Sequence, residues 1–186
     1  MAYHHGDLRR TMLSATASAI DEEGVAKLSL RALAKRAGVS NAAPTHHFGD
    51  KAGLLTALAV EGYDLMADAM SEAGQRLSLV EMGVAYVTSA LNNPAHFSVM
   101  FQPHMLRADD AELNRAQVRL RTALTEGVAQ SVEDAGGESN TDARLAAWSL
   151  VHGYATLVLS GAINEPDPVA HARIVASHFA SIAGSS

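Results

Sequence analysis

The punctuation of this chain constrains its fold more than any other feature. Apolar residues recur at three- and four-residue intervals over almost the whole length. Breaks fall at Gly24, Gly38, Gly49, Asn92-Asn93-Pro94, Pro103, Gly136-Gly137 and Pro166 to Pro168. β-branched alternation and the Asn-Gly or Asp-Gly pairs that close hairpins are absent, so the chain reads as all-α. The spacing predicts helices over about 7–23, 29–36, 40–48, 51–75, 78–92, 95–102, 109–135, 141–162 and 168–183. The first places Leu8, Met12, Ala15, Ala19 and Ile20 on one face and stops at Gly24.

Composition removes several classes of function. With 186 residues, 48% of them apolar, the chain can bury a real core, and without cysteine it has no disulfide, thiolate metal site or cysteine nucleophile. The opening Met1 to Arg10 is polar and carries Asp7, unlike a signal peptide, so a cytoplasmic location is expected. The most apolar stretch, Trp148 to Ile163, is too short to cross a bilayer and contains His152, Gly153, Tyr154 and Ser160, so it reads as a buried helix and no membrane partner is expected. The net charge of −6 is unevenly spread. Arg9, Arg10, Lys27, Arg31, Lys35, Arg36 and Lys51 outnumber the acids of the first 51 residues, whereas acids dominate the rest, a distribution that lets one face meet phosphates.

Two short helices joined by Ala37-Gly38-Val39 have the geometry that admits a second helix to a major groove. Ser29 is placed to cap the first, with Leu30, Leu33 and Ala34 inward and Arg31, Lys35 and Arg36 outward; Ser40 is placed to cap the second. The run Ser29-Leu30-Arg31-Ala32-Leu33-Ala34-Lys35-Arg36-Ala37-Gly38-Val39-Ser40, followed by His47-Phe48-Gly49-Asp50-Lys51-Ala52-Gly53-Leu54-Leu55, resembles the TetR family of transcriptional regulators over roughly residues 4–60. Tyr3-His4-His5-Gly6-Asp7-Leu8-Arg9 is similar to the arm and first helix of such proteins.

The resemblance implies an N-terminal three-helix bundle with a helix-turn-helix over residues 1–50, a linking helix over about 51–75, and a larger helical effector-binding and dimerisation domain over 76–186. It implies a homodimeric repressor on a palindromic double-stranded DNA operator, released by a small-molecule effector, with no enzymatic activity and no cofactor. Carried over by position, Ser29 would hold a phosphate and Arg31 would reach a base edge, most naturally guanine. Ser40, Asn41, Ala42 and Ala43 would open the recognition helix, Asn41 bonding a base or phosphate and an alanine touching a thymine methyl. Lys51 would grip another phosphate. Thr45 stands where relatives commonly have tyrosine, and Pro44 lies where a helix from Ser40 would lose a backbone bond. For His46 and His47, phosphate contact stands beside ordinary helix packing; their adjacency does not suit one metal.

Further on, Phe97, Met100, Phe101, His104, Trp148 and His152 combine apolar bulk with polar handles, as an effector pocket or a core would. Trp148-Ser149-Leu150-Val151-His152-Gly153 is similar to the tryptophan and histidine-glycine signature of one subgroup of TetR C-terminal domains. Leu145, Val151, Leu157, Val158, Ile174, Val175, Phe179 and Ile182 exceed what a monomer needs to cover, which makes the helices at about 141–162 and 168–183 the expected dimer interface. Two other readings stay open: an interaction module that has lost operator recognition, motivated by Pro44 and Thr45, and a helical enzyme or metalloprotein using His96, His104 and His152.

Overall fold

The computed structural model describes residues 5–76, 78–134 and 141–183, with side-chain surroundings over 8–73, 78–129 and 142–178; every regular element among them is helical. In order these are α1 (His5–Glu23), α2 (Leu30–Arg36), α3 (Ala43–Phe48), α4 (Lys51–Arg76), α5 (Leu79–Asn92), α6 (Pro94–Met100), α7 (Ala111–Asp134), α8 (Thr141–Leu159) and α9 (Pro168–Ala183). Two single 3₁₀ turns, Val25–Lys27 and Pro103–Met105, were not anticipated. Such turns are too short to leave a periodic signal. The expected arm at Tyr3 and His4 and the break at Gly136-Gly137 lie outside the described residues.

The chain divides into two compact units, one of Met1–Gly62 with Pro94–Ala116, the other of Tyr63–Asn93 with Gln117–Ser186. In the first, α1 buries Met12, Leu13, Thr16 and Ile20, positions separated by helical intervals, while Leu8, Ala15 and Ala19 are only half-buried. The Thr16 hydroxyl donates to the Met12 carbonyl at 2.7 Å, so the single polar group on this face is satisfied inside the helix. Gly24, at φ 81°, ends α1 with its N–H on the Ile20 carbonyl. Leu33, Ala34, Pro44, Phe48, Leu54, Leu55, Leu58, Phe97 and Met100 are among the other core residues of this unit. Phe97 and Phe101 meet edge to face with ring centres 5.3 Å apart.

In the second unit α5, α8 and α9 pack against one another. Ion pairs brace its outside: Arg119 bridges Asp64 and Asp68 of α4, and Arg173 of α9 is paired with Glu81 of α5. α8 is not the all-round buried helix its apolarity predicts. Val151, Tyr154 and Ala155 are buried, but Leu150 and Leu157 are 39% and 45% exposed on another side. The separations of three and four residues point inward and the separation of seven points outward, so one apolar segment serves two faces. Among the described residues no helix is long and apolar enough to cross a membrane.

Candidate nucleic-acid interface and interior cavity

Three backbone bonds shape the turn after α2. The N–H groups of Ala37, Gly38 and Val39 reach the carbonyls of Leu33, Lys35 and Ala34, at 2.8, 3.2 and 3.0 Å, and Gly38 takes φ 68°. The crossed pair from Gly38 and Val39 satisfies the last carbonyls of α2 and turns the chain sharply, a conformation that glycine adopts without a Cβ penalty.

The next helix starts later than Ser40 suggests. Ser40, Asn41 and Ala42 form a turn closed by the Ala43 N–H on the Ser40 carbonyl, and α3 begins at Ala43. Proline explains the shift: Pro44 falls in the first turn of α3, where its missing N–H has no partner to lose and its fixed φ suits the helix. Pro44 and Phe48, four residues apart, are buried, and Ala42, Thr45 and His46 are exposed on the other side of this short helix. Pro44 therefore seats α3 rather than disrupting it. One of the two residues that favoured an interaction module without operator recognition has a structural role.

The expected contact residues fall into two kinds. Ser29 and Arg31 are exposed at the start of α2; the Ser29 hydroxyl makes no capping bond, and Arg31 has no ion pair among the described residues. Ser40, Asn41, Ala42, Thr45 and His46 are also exposed, with Ala43 and His47 half-buried. Lys51 is different: its ammonium donates to the Val25 carbonyl at 2.8 Å and ties the 3₁₀ turn to α4. Arg36 is bound bidentately by Glu22, which removes it from the free cations of this face.

Residues that sequence reasoning missed hold the junction of α3 and α4. Asp50 caps α4 by accepting from the Gly53 N–H at 2.8 Å, and it also accepts from Arg107 at 2.9 Å. That backbone bond, with the guanidinium beside it, holds the Asp50 carboxyl below its ordinary pKa. The Arg107 N–H donates to the buried Thr56 hydroxyl at 2.9 Å, so the segment before α7 is fastened to α4 at two points.

Comparison with known proteins bears on this arrangement. Residues 12–58 match the model of bacterial regulatory proteins of the tetR family, and residues 79–179 match the tetracyclin repressor-like C-terminal domain. The chain belongs to the TetR family. It is 24% identical over 169 residues to an uncharacterized HTH-type transcriptional regulator, YobS, of Bacillus subtilis (strain 168), covering 88% of this chain and 85% of that protein. A protein of unknown function from Rhodococcus sp. RHA1 superposes with a TM-score of 0.81 at 28% identity over 97% of each chain. The TetR family regulator PfmR from Thermus thermophilus shares the fold, with a TM-score of 0.73 at 20% identity over 91% of this chain and 97% of that one. This TetR protein is a DNA-binding transcriptional regulator with a helix-turn-helix head.

The six residues expected to line a TetR effector pocket are not brought together in one unit. Phe97, Met100, Phe101 and His104 lie in the first, where Phe97 and Met100 are core and His104 is exposed. Trp148 and His152 lie in the second, where both meet Tyr86. The Trp148 indole N–H donates to the Tyr86 oxygen at 3.1 Å, and the Tyr86 hydroxyl is hydrogen-bonded to His152 Nδ1 at 2.9 Å. Burial pushes the Tyr86 phenol pKa up and the His152 pKa down, so both stay neutral at pH 7. Tyr86 also lines an apolar cavity of about 20 Å³ with Met70, Leu79, Met82, Val151 and Ala176, and none of the six expected residues is in its wall. A tyrosine in the apolar run of α5 carried no sequence signal beyond core packing.

For the metalloprotein reading, the described residues contain no group of three His, Asp or Glu side chains able to hold an ion. His96 faces Glu61 at 3.4 Å and His152 is engaged by Tyr86.

The depressed pKa of His152 makes a prediction. Between its ordinary value of about 6.5 and its lower folded value, the unfolded chain binds more protons than the folded one. The stability contributed by neutral His152 is complete above about pH 6.5 and is lost as pH falls through the folded value. Thermal melts at about pH 7.5 and 5.5 are expected to show a loss at the lower pH that shrinks in His152→Gln. An equal loss in both proteins would remove His152 from the account.

Proposed function

We propose that this protein is a repressor that binds a palindromic operator as a homodimer and is released by a small-molecule effector held in its second unit. The observation that carries the DNA-binding half is the exposed face formed by Ser29, Arg31, Ser40, Asn41, Ala42, Thr45 and His46 around a turn built for groove entry. Arg31 is assigned to a base edge and Ser29 to a phosphate. Asn41, Ala42 and Ala43 are assigned to bases at the start of α3, and Thr45, His46 and His47 to its flanking backbone. Lys51 holds the Val25 carbonyl with one proton and keeps others for a phosphate.

The dimer is assigned to α8 and α9. Leu145, Leu157 and Ile174 are 53%, 45% and 55% exposed, and Leu150 and Val169 join them, an unusual concentration of apolar side chains for a free surface. Of the other residues expected there, Val151 is core, Val158 and Val175 are half-buried, and the side chains of Phe179 and Ile182 lie outside the described residues. Two recognition helices on a twofold axis must sit about 34 Å apart to read successive major grooves, so an effector acts by changing their spacing. We assign DNA reading to residues 1–50, the link to about 51–75, and effector binding and dimerisation to 76–186, except that Pro94–Ala116 packs within the DNA-reading unit. Such a protein works in the cytoplasm, on DNA.

The test is a binding titration against DNA flanking the protein's own gene and against a genome-wide fragment pool, with excess competitor, over a salt series. Selective binding to one palindrome that weakens about a thousandfold or more between 50 and 200 mM salt is expected for a protein neutralising several phosphates. Salt-independent association, or no selected sequence in the pool, would leave an interaction module in place of a repressor.

A further inference from the structure

The cavity of the second unit is walled by Met70, Leu79, Met82, Tyr86, Leu124, Val128, Ala147, Val151 and Ala176 with Gly83, drawn from α4, α5, α7, α8 and α9. No charged side chain is in this wall. Its volume of about 20 Å³ has room for a single water, against the several hundred Å³ of a small-molecule site. The reason is visible at Met82. A Cβ built on Gly127 would fall 2.0 Å from the Met82 sulfur, so the thioether lies directly on the backbone of α7, in space that any other residue at 127 would fill. Methionine is unbranched and turns about three bonds, so it fills an irregular gap and leaves it with less disruption than a branched residue.

We propose that this cavity is the effector site and that it takes an uncharged, apolar small molecule, admitted when the Met82 side chain leaves its seat on Gly127. The inference rests on the effector-responsive reading above and adds the chemical class of the guest and the residue that gates it. An ion placed among these side chains would lose its hydration with no opposite charge in the wall, whereas an aromatic or aliphatic molecule exchanges one apolar contact for another. Met70, the second thioether in the wall, adds the same adaptability from α4.

The probe is N-phenyl-1-naphthylamine, a neutral apolar fluorophore, titrated into the full chain. Trp148, the chain's one tryptophan and a hydrogen-bond partner of Tyr86, serves as the internal reporter. Saturable binding of one probe per chain with a change in Trp148 emission is expected. Met82→Ala, which opens the site in advance, is expected to bind about tenfold more tightly because the opening step no longer lowers the apparent affinity. Ala147→Leu, which fills the cavity from α8, is expected to bind more weakly; circular dichroism establishes that each variant is folded. A permanently cationic acridinium and an anionic naphthalenesulfonate are expected not to compete. No saturable binding of the neutral probe to wild type or Met82→Ala, equal affinity in all three proteins, or competition by a charged dye overturns the assignment. Operator binding by the same samples separates the two readings. DNA binding without probe binding removes the cavity assignment alone, and probe binding without DNA binding removes the repressor.

Discussion

Gly53→Ala is expected to destabilise the first unit by about 3 kcal/mol, the upper part of the range for forcing an atom into a packed site. The prediction is sharp because helix propensity alone gives the opposite sign. Gly53 lies inside α4, where alanine is ordinarily favoured over glycine by about 1 kcal/mol. Here, however, a Cβ would fall 2.0 Å from the Phe48 carbonyl oxygen and 2.9 Å from the Arg107 guanidinium carbon. The first is backbone and cannot swing aside, so the last turn of α3 must move. Gly153→Ala is the matched control. It too lies inside a helix, but nothing stands within 4 Å of its Cβ position, and the substitution is expected to stabilise by up to about 1 kcal/mol. Thermal melts of the pair, with operator affinity measured below both transitions, check the claim. Gly53→Ala is expected to lower Tm by several degrees and weaken DNA binding. A stabilised Gly53→Ala would show that the junction of α3 and α4 is looser than its geometry.

The second large effect is expected at Arg31. Arg31→Ala should cost about 1–3 kcal/mol of operator affinity per half-site and relax the preference for one base pair, the signature of a lost bidentate contact to guanine. Because Arg31 is exposed and has no ion pair among the described residues, folding stability should change by no more than about 0.5 kcal/mol. Lys51→Ala serves less well as a companion variant. It removes a bond to the Val25 carbonyl, so lost DNA affinity would mix a missing phosphate contact with a loosened turn. Competition of operator variants against each half-site position, with melts alongside, checks the prediction. Unchanged affinity and base preference in Arg31→Ala would place base reading on α3 alone.

What was legible in the sequence was whatever local chemistry decides. Gly24 and Gly38 stop helices because the next backbone conformation suits glycine, and both stops stand where expected. Ser40 misled because it resembles a cap; Pro44, four residues on, overrides it, since proline is tolerated in a first turn and costly beyond it. Ser29 does occupy the cap position of α2, yet its hydroxyl makes no capping bond. The contacts that could not be read join distant parts of the chain. Arg107 and Asp50 are 57 residues apart, and Tyr86 lies 62 and 66 residues from Trp148 and His152. The pairing of Trp148 with His152 was visible as a four-residue interval on α8. Their shared partner on α5 was not, because one tyrosine in an apolar helix has many equivalent places to go.

The boundary between the two units passes within α4, after Gly62, and within α7, after Ala116, and the first unit includes α6. The DNA-reading head is therefore not a cassette that ends where the helix-turn-helix ends. Phe97 and Met100, supplied from downstream of the whole fifth helix, belong to its core, and Met100 and His96 press against α4 at Gly62. Recombination that swapped only the first fifty residues onto another regulator would leave those side chains facing a foreign surface. A transplant that keeps the head whole must carry Pro94–Ala116 with it, so this regulator can change its operator more readily by substituting exposed residues than by exchanging domains.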